Sequence, residues 1–255
     1  MSIFLVGSGP DDAAFPDVFD RFAAEVAERA GGGPARVAVA VHSPDGRPLD
    51  RLPDYARPLD ARLDCTIIPV LLADGQPADP TTFGDVHGIV VGGGLTPSYL
   101  RGLSGAAPAI ARAVAGGVPY VGFSAGAMVA PGRALIGGYR VDGAEVCGEE
   151  CSEGLDELVV RPGLDLVPFA VDVHAAQAGT LSRAVGAVSA GLVDHAVAID
   201  EGTAAVLPAP NAGHYTVIGA GRCWDIRAQP GQGVVPAGGT AARPVDVTLR
   251  TAAGP

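Results

Sequence analysis

Apolar positions in this chain gather into short unbroken runs. Phe4-Leu5-Val6, Val37-Ala38-Val39-Ala40-Val41, Ile67 to Leu72, Ile89-Val90-Val91 and Pro119 to Phe123 have strand length and no polar face. That pattern marks strands covered on both sides, as in a parallel sheet. Between the runs, Phe15, Phe19, Phe22, Ala23, Val26 and Ala27 recur at helical spacing across Phe15 to Ala30. A second helical stretch covers Ala107 to Ala115. Strand and helix alternate, so the predicted fold class is α/β, with a mostly parallel, doubly wound sheet built from βαβ units over about residues 1–200.

Beyond about residue 196 the texture changes. Val197-Ala198-Ile199, Ala204 to Leu207, Tyr215 to Ile218 and Cys223 to Ile226 are short runs separated by turn residues such as Pro210-Asn211-Ala212-Gly213. They predict a small antiparallel meander attached to the sheet, an extension of the same domain over about 201–250. The stretch from Pro230 is rich in Gly, Pro and Ala, with one Val-rich run at Val245 to Leu249. No linker or repeat divides the chain, and 255 residues suit one α/β domain.

Charge narrows the partners. The chain carries 28 acidic against 17 basic side chains, a net of −11, and every basic one is a scattered arginine. Binding to nucleic acid by counterion release is disfavoured. The apolar start, Met1 to Val6, is too short for a signal peptide, and no run approaches membrane-spanning length. A cytoplasmic protein with no membrane partner is expected. Cys65, Cys147, Cys151 and Cys223 form no CxxC pair, so reduced thiols are expected and no metal or cofactor is called for.

One motif carries chemistry. Val118 to Phe123 is a buried strand that runs into Gly122-Phe123-Ser124-Ala125-Gly126, followed by a helix start. Gly-x-Ser-x-Gly between strand and helix is a nucleophile elbow. The turn is tight enough that the positions two before and two after the serine cannot hold side chains, and it lifts Ser124 above the sheet edge. The following helix N-terminus and the Ala125 N–H then favour an oxyanion beside the hydroxyl. Gly92-Gly93-Gly94-Leu95-Thr96 follows the preceding strand, so both loops lie at carboxyl ends of parallel strands. A bare glycine backbone there can supply a second oxyanion donor. Gly7-Ser8-Gly9-Pro10 reads as a plain loop.

A serine needs a base and an acid to orient it. His87 and His195 precede their apolar runs, which puts them at the wrong ends of their strands. His42 ends the second strand and His214 belongs to the meander, whereas His174 emerges at the end of Val167 to Val173 beside Asp172. For the acid, Asp200 and Glu201 both sit at a strand end and point to opposite faces, so spacing leaves the choice open. Asp142, Glu145, Glu149 and Glu150 form an acidic loop, read as solvated surface that could rim the site.

Gly92 to Thr96, Gly122 to Ala127, Asp172-Val173-His174 and Ile199 to Ala204, in that order, resemble the cyanophycinase and dipeptidase E family of serine peptidases. The resemblance spans roughly Ile3 to Ile226. It implies a class I glutamine amidotransferase-like, flavodoxin-like fold and a Ser-His-Glu triad of Ser124, His174 and Glu201. It also implies an oxyanion hole from the N–H of Gly93 or Gly94 together with that of Ala125, and suggests a homodimer. The elbow holds serine where related amidotransferases hold cysteine, which argues against glutamine amide transfer. Leu95 replaces a polar residue of the family, and only Arg183 remains of cyanophycinase's arginine set, which argues against cyanophycin and strict aspartyl-dipeptide cleavage. The expected activity is hydrolysis of a small peptide, isopeptide or related amide through an acyl-enzyme. Thr96, Asp172, Gln177 and Arg183 are candidates for the substrate-facing wall. A non-catalytic ligand-binding member and an esterase of a small metabolite are the alternatives.

Overall fold

The computed structural model describes residues 1–73, 76–229 and 242–253. In chain order its main elements are β1 (Ile3–Val6), α1 (Pro16–Ala30), β2 (Ala35–His42), α2 (Leu52–Asp60), β3 (Cys65–Leu72), β4 (Gly88–Val91), α3 (Thr96–Leu103), α4 (Ala107–Ala115), β5 (Tyr120–Phe123) and α5 (Ala125–Met128). Two small ribbons follow: β6 (Arg133–Leu135) pairs with β9 (Val160–Pro162), and β7 (Arg140–Val141) with β8 (Ala144–Glu145). Then come β10 (Ala170–Val173), α6 (Leu181–Ser189), β11 (His195–Ile199), β12 (Thr203–Leu207), β13 (Thr216–Gly219), β14 (Arg222–Ala228) and β15 (Val245–Thr251).

The five apolar runs form the parallel part of a seven-stranded sheet ordered β13-β12-β1-β5-β4-β2-β3. Apolar side chains fill both of its faces. Phe19, Phe22 and Val26 of α1 and Tyr55 and Leu59 of α2 pack with Phe4, Val39 and Val121 on one side. Tyr99 and Leu103 of α3 and Ile110 and Val114 of α4 pack with Leu5, Ala40 and Val91 on the other. Core burial at about 25 cal/mol per Å² of apolar surface is what holds such layers together. One strand departs from the expectation of burial on both faces. β3 lies at the sheet edge, where only Val70 and Leu72 are buried and Thr66, Pro69 and Leu71 are exposed, and Pro69 is a residue an edge strand tolerates because one side needs no N–H.

The late strands do not form a single meander. β12 extends the main sheet antiparallel to β1 and β13 pairs antiparallel with β12, while β11 and β14 join β10 and β15 in a second sheet ordered β10-β11-β14-β15. β10 and β11 run parallel, with α6 packed against them. The chain crosses between the sheets at Asp200-Glu201-Gly202, where Gly202 takes a left-handed φ of 60°. The Val-rich run is β15, and the Gly/Pro/Ala-rich stretch 230–241 lies outside the described residues.

Candidate active site

Ser124 sits between β5 and α5 with φ 48° and ψ −107°, a combination outside the regions open to ordinary L-residues. The flanking glycines make that turn possible. A Cβ on Gly122 would meet the Gly126 backbone at 2.5 Å, and a Cβ on Gly126 would lie 2.2 Å from the Val91 carbonyl oxygen. The Ser124 N–H donates to the carbonyl of Val6 at 3.0 Å, tying the elbow to β1. The helix after the serine is a single turn of four residues, shorter than the sequence suggests. Little macrodipole remains, so the local electrostatics rest on individual N–H groups, foremost that of Ala125, which has no acceptor inside the turn.

His174 follows β10 with a left-handed φ of 57°. Its N–H donates to the Gly7 carbonyl at 3.1 Å, so the Gly7-Ser8-Gly9 loop braces the imidazole's backbone. A Cβ on Gly7 would come within 2.1 Å of the Asp200 carbonyl oxygen, which explains the glycine there. The imidazole Nε2 lies 3.0 Å from Ser124 Oγ, and Nδ1 lies 2.7 Å from Glu201 Oε1. A carboxylate accepts only, so Nδ1 carries the proton and Nε2 is left to accept from the serine.

The two adjacent acids divide their tasks. Asp200 is 4 % exposed, and its carboxylate accepts from the N–H groups of Ala176 and Arg222 and from Trp224 Nε1 at 3.0–3.1 Å. It fixes the turn after His174. Glu201 is exposed and reaches the imidazole, and its own N–H donates to Gln177 Oε1 at 2.9 Å. Gln177 thus holds the acid's backbone in place.

The other expected wall residues lie inside the protein. Asp172 and Arg183 are 0 % and 2 % exposed and form a bidentate pair, Nε to Oδ2 at 2.8 Å and Nη2 to Oδ1 at 2.6 Å. Arg183 Nη1 also donates to the Cys151 carbonyl. A guanidinium occupied in this way is not available to a substrate carboxylate. Thr96 is buried as well; its hydroxyl meets Met128 Sδ at 3.5 Å and its N–H donates to Glu153 Oε2 at 2.9 Å. Burial pushes the Glu153 carboxyl above its usual range, against the pull of that hydrogen bond. Glu153, just beyond the acidic loop, is therefore tied to the end of the glycine loop, a connection that charge patterning does not reveal.

Ser124 opens onto a cavity of about 250 Å³ lined by Gly9, His42, Ser43, Pro44, Arg51, Tyr55, Gly93, Gly94 and itself. Gly94 has φ 151°, and among the described residues no acceptor meets its N–H. The Gly93 N–H is engaged: it donates to the Tyr55 hydroxyl at 2.8 Å, while the Tyr99 hydroxyl donates to the Gly93 carbonyl at 3.1 Å. Sequence reasoning missed Tyr55 of α2 and Arg51 just before it because this stretch carries no motif that marks chemistry. Arg51 ion-pairs with Asp54 at 3.4 Å. His87 is engaged with Arg36, accepting its N–H through Nδ1 and donating its own backbone N–H to the Arg36 carbonyl, and His195 pairs with Asp225 in the second sheet. His214 is exposed. All four cysteines are free thiols. No helix among the described residues is long and apolar enough to cross a membrane.

A sequence model of peptidase family S51 matches residues 61–207. No curated protein matches the chain. Among solved structures it is similar to a peptidase from an acI-B1 Actinobacterium, at 19 % identity and a TM-score of 0.58, over 87 % of this chain and 88 % of that one. It is also similar to a putative peptidase E protein from Listeria monocytogenes EGD-e, at 16 % identity and a TM-score of 0.55, over 86 % of this chain and 98 % of that one. At these identities the likeness speaks for the fold.

Proposed function

Because this chain belongs to peptidase family S51 and is a serine-type peptidase, we propose that it cleaves a small peptide, isopeptide or related amide with Ser124 as nucleophile, His174 as base and Glu201 as the acid that orients and stabilises the imidazole. The observation that carries the reading is the unbroken relay from Ser124 Oγ to His174 Nε2 at 3.0 Å and from His174 Nδ1 to Glu201 Oε1 at 2.7 Å, on a strained elbow that opens into a cavity.

In the first half-reaction Ser124 Oγ attacks the carbonyl carbon and its proton passes to His174 Nε2. Glu201 stabilises the imidazolium, and the Ala125 and Gly94 N–H groups receive the oxyanion. The intermediate collapses as His174 gives the proton to the departing amine. Water then repeats the sequence on the acyl-enzyme and regenerates the serine. Asp172, Arg183 and Thr96 act through the scaffold in this reading, and Gln177 through the position of Glu201.

Intact mass after incubation with a fluorophosphonate tests it. A single adduct on the wild type, absent in Ser124→Ala and slowed by about three orders of magnitude or more in His174→Ala, is the expected result. A cooperatively melting wild type that takes no adduct overturns the reading in favour of a binding protein.

A further inference from the structure

The Tyr55 hydroxyl is an anomaly of the cavity. Its side chain is 1 % exposed, and its oxygen accepts the Gly93 N–H at 2.8 Å. Among the described residues nothing accepts its proton. Buried hydroxyl protons are normally paired, and one that is not, on the wall of a reactive cavity, is a donor awaiting an acceptor. The acceptor is not a neighbour of the ring, since Tyr55 packs against Phe123 with centroids 5.5 Å apart.

Resting on the hydrolase reading above, we propose that the Tyr55 hydroxyl is a catalytic residue: it donates to the oxyanion that forms on the substrate carbonyl, beside the Ala125 and Gly94 N–H groups. The geometry supports this placement. A Cβ on Gly93 would lie 3.3 Å from Ser124 Cβ and 3.8 Å from the Tyr55 oxygen, so nucleophile and phenol flank the same glycine. The Gly93 N–H reaches the reacting centre through the phenol, and by donating to its oxygen makes the O–H a stronger donor. Burial, opposed in part by the Gly93 hydrogen bond and by the Arg51 charge, holds the phenol above its ordinary pKa, so it keeps its proton at neutral pH. Tyr55 gives up no proton in the reaction; it only hydrogen-bonds to charge that develops and disappears.

Tyr99 supplies the control. Its hydroxyl braces the other side of Gly93, donating to the carbonyl and accepting the His42 N–H at 3.1 Å, and it has no place in the proposed oxyanion hole. Fluorophosphonate labelling is followed at a series of probe concentrations for wild type, Tyr55→Phe and Tyr99→Phe, each with its melting temperature. Tyr55→Phe removes one oxygen and keeps the ring. The expected result is a limiting labelling rate lowered about 10- to 100-fold in Tyr55→Phe, an unchanged half-saturating concentration, and less than a threefold change in Tyr99→Phe. Labelling of Tyr55→Phe at the wild-type rate overturns the proposal. So does an equal slowing in both variants, which assigns the hydroxyls to bracing the glycine loop. A wild type that never labels sinks the hydrolase reading itself, an outcome distinct from both.

Discussion

Ser124 holds a backbone conformation that its own side chain disfavours, and that strain has a measurable size. Conformations of this kind cost about 1–3 kcal/mol, against which glycine's extra freedom when unfolded costs about 0.5–1 kcal/mol. Ser124→Gly is therefore expected to be about 1 kcal/mol more stable than Ser124→Ala in urea denaturation, both being inactive. Equal stabilities would show that the elbow is not strained. Glu201→Gln keeps the length of the side chain and removes its charge, and is expected to slow acylation about 100-fold or more with little effect on melting. The positions of Ser124 and His174 were legible because glycine spacing and strand ends are local signals. The choice between Asp200 and Glu201 was not, because it depends on Trp224 and Arg222, which reach Asp200 only after β14 is in place. Tyr55 carried no signal at all, since nothing in α2 reports what its tip meets.

At the scale of elements, two close approaches set the tolerance of the fold. A Cβ on Gly126 would meet the backbone of β4, where no rotamer change can give way. Gly126→Ala is expected to cost about 3 kcal/mol or more and to abolish labelling, as thermal melts and probe uptake would show. The Asp172–Arg183 pair links β10, which delivers His174, to α6. Asp172→Asn leaves a buried guanidinium without its counter-charge, and a loss of about 3–5 kcal/mol is expected from chemical denaturation. Both residues look like surface chemistry in the sequence, because charge alone says nothing of burial. The parallel strands, by contrast, were evident, since an uninterrupted apolar run has few places to go other than the middle of a sheet. β3 shows the limit of that inference: its run is as apolar as the others, but edge position is decided by strand order, which periodicity does not encode.

Over the whole molecule, the net charge of −11 places most carboxylates at the surface, yet Asp225 lies 3 % exposed between His195, Arg227, Arg250 and Tyr215. Burial pushes its carboxyl up, but the hydrogen bond and charge of His195, with those of Arg227, more than offset this and hold it at about 2. A carboxyl depressed in the folded state stabilises the protein above its ordinary value of 3.8 and loses that contribution as pH falls towards 2. The wild type is thus expected to melt higher than Asp225→Asn at pH 6, with the gap closing between about pH 4 and pH 2. A gap independent of pH would deny the carboxylate this role. The division of the late strands between two sheets was not readable, because short apolar runs with turns between them fit either partner.

That division sets the order in which the protein can become reactive during its own synthesis. Ser124 stands at the end of β5, but His174 and Glu201, its proposed base and acid, follow β10 and β11, and β12 must return to pair with β1, the first strand made. A ribosome that has released the elbow still has more than seventy residues to add before Glu201 leaves the exit tunnel. Through that interval the nascent chain carries Ser124 without His174 and Glu201 folded beside it, so on the proposed roles the relay is assembled only after Glu201 has emerged.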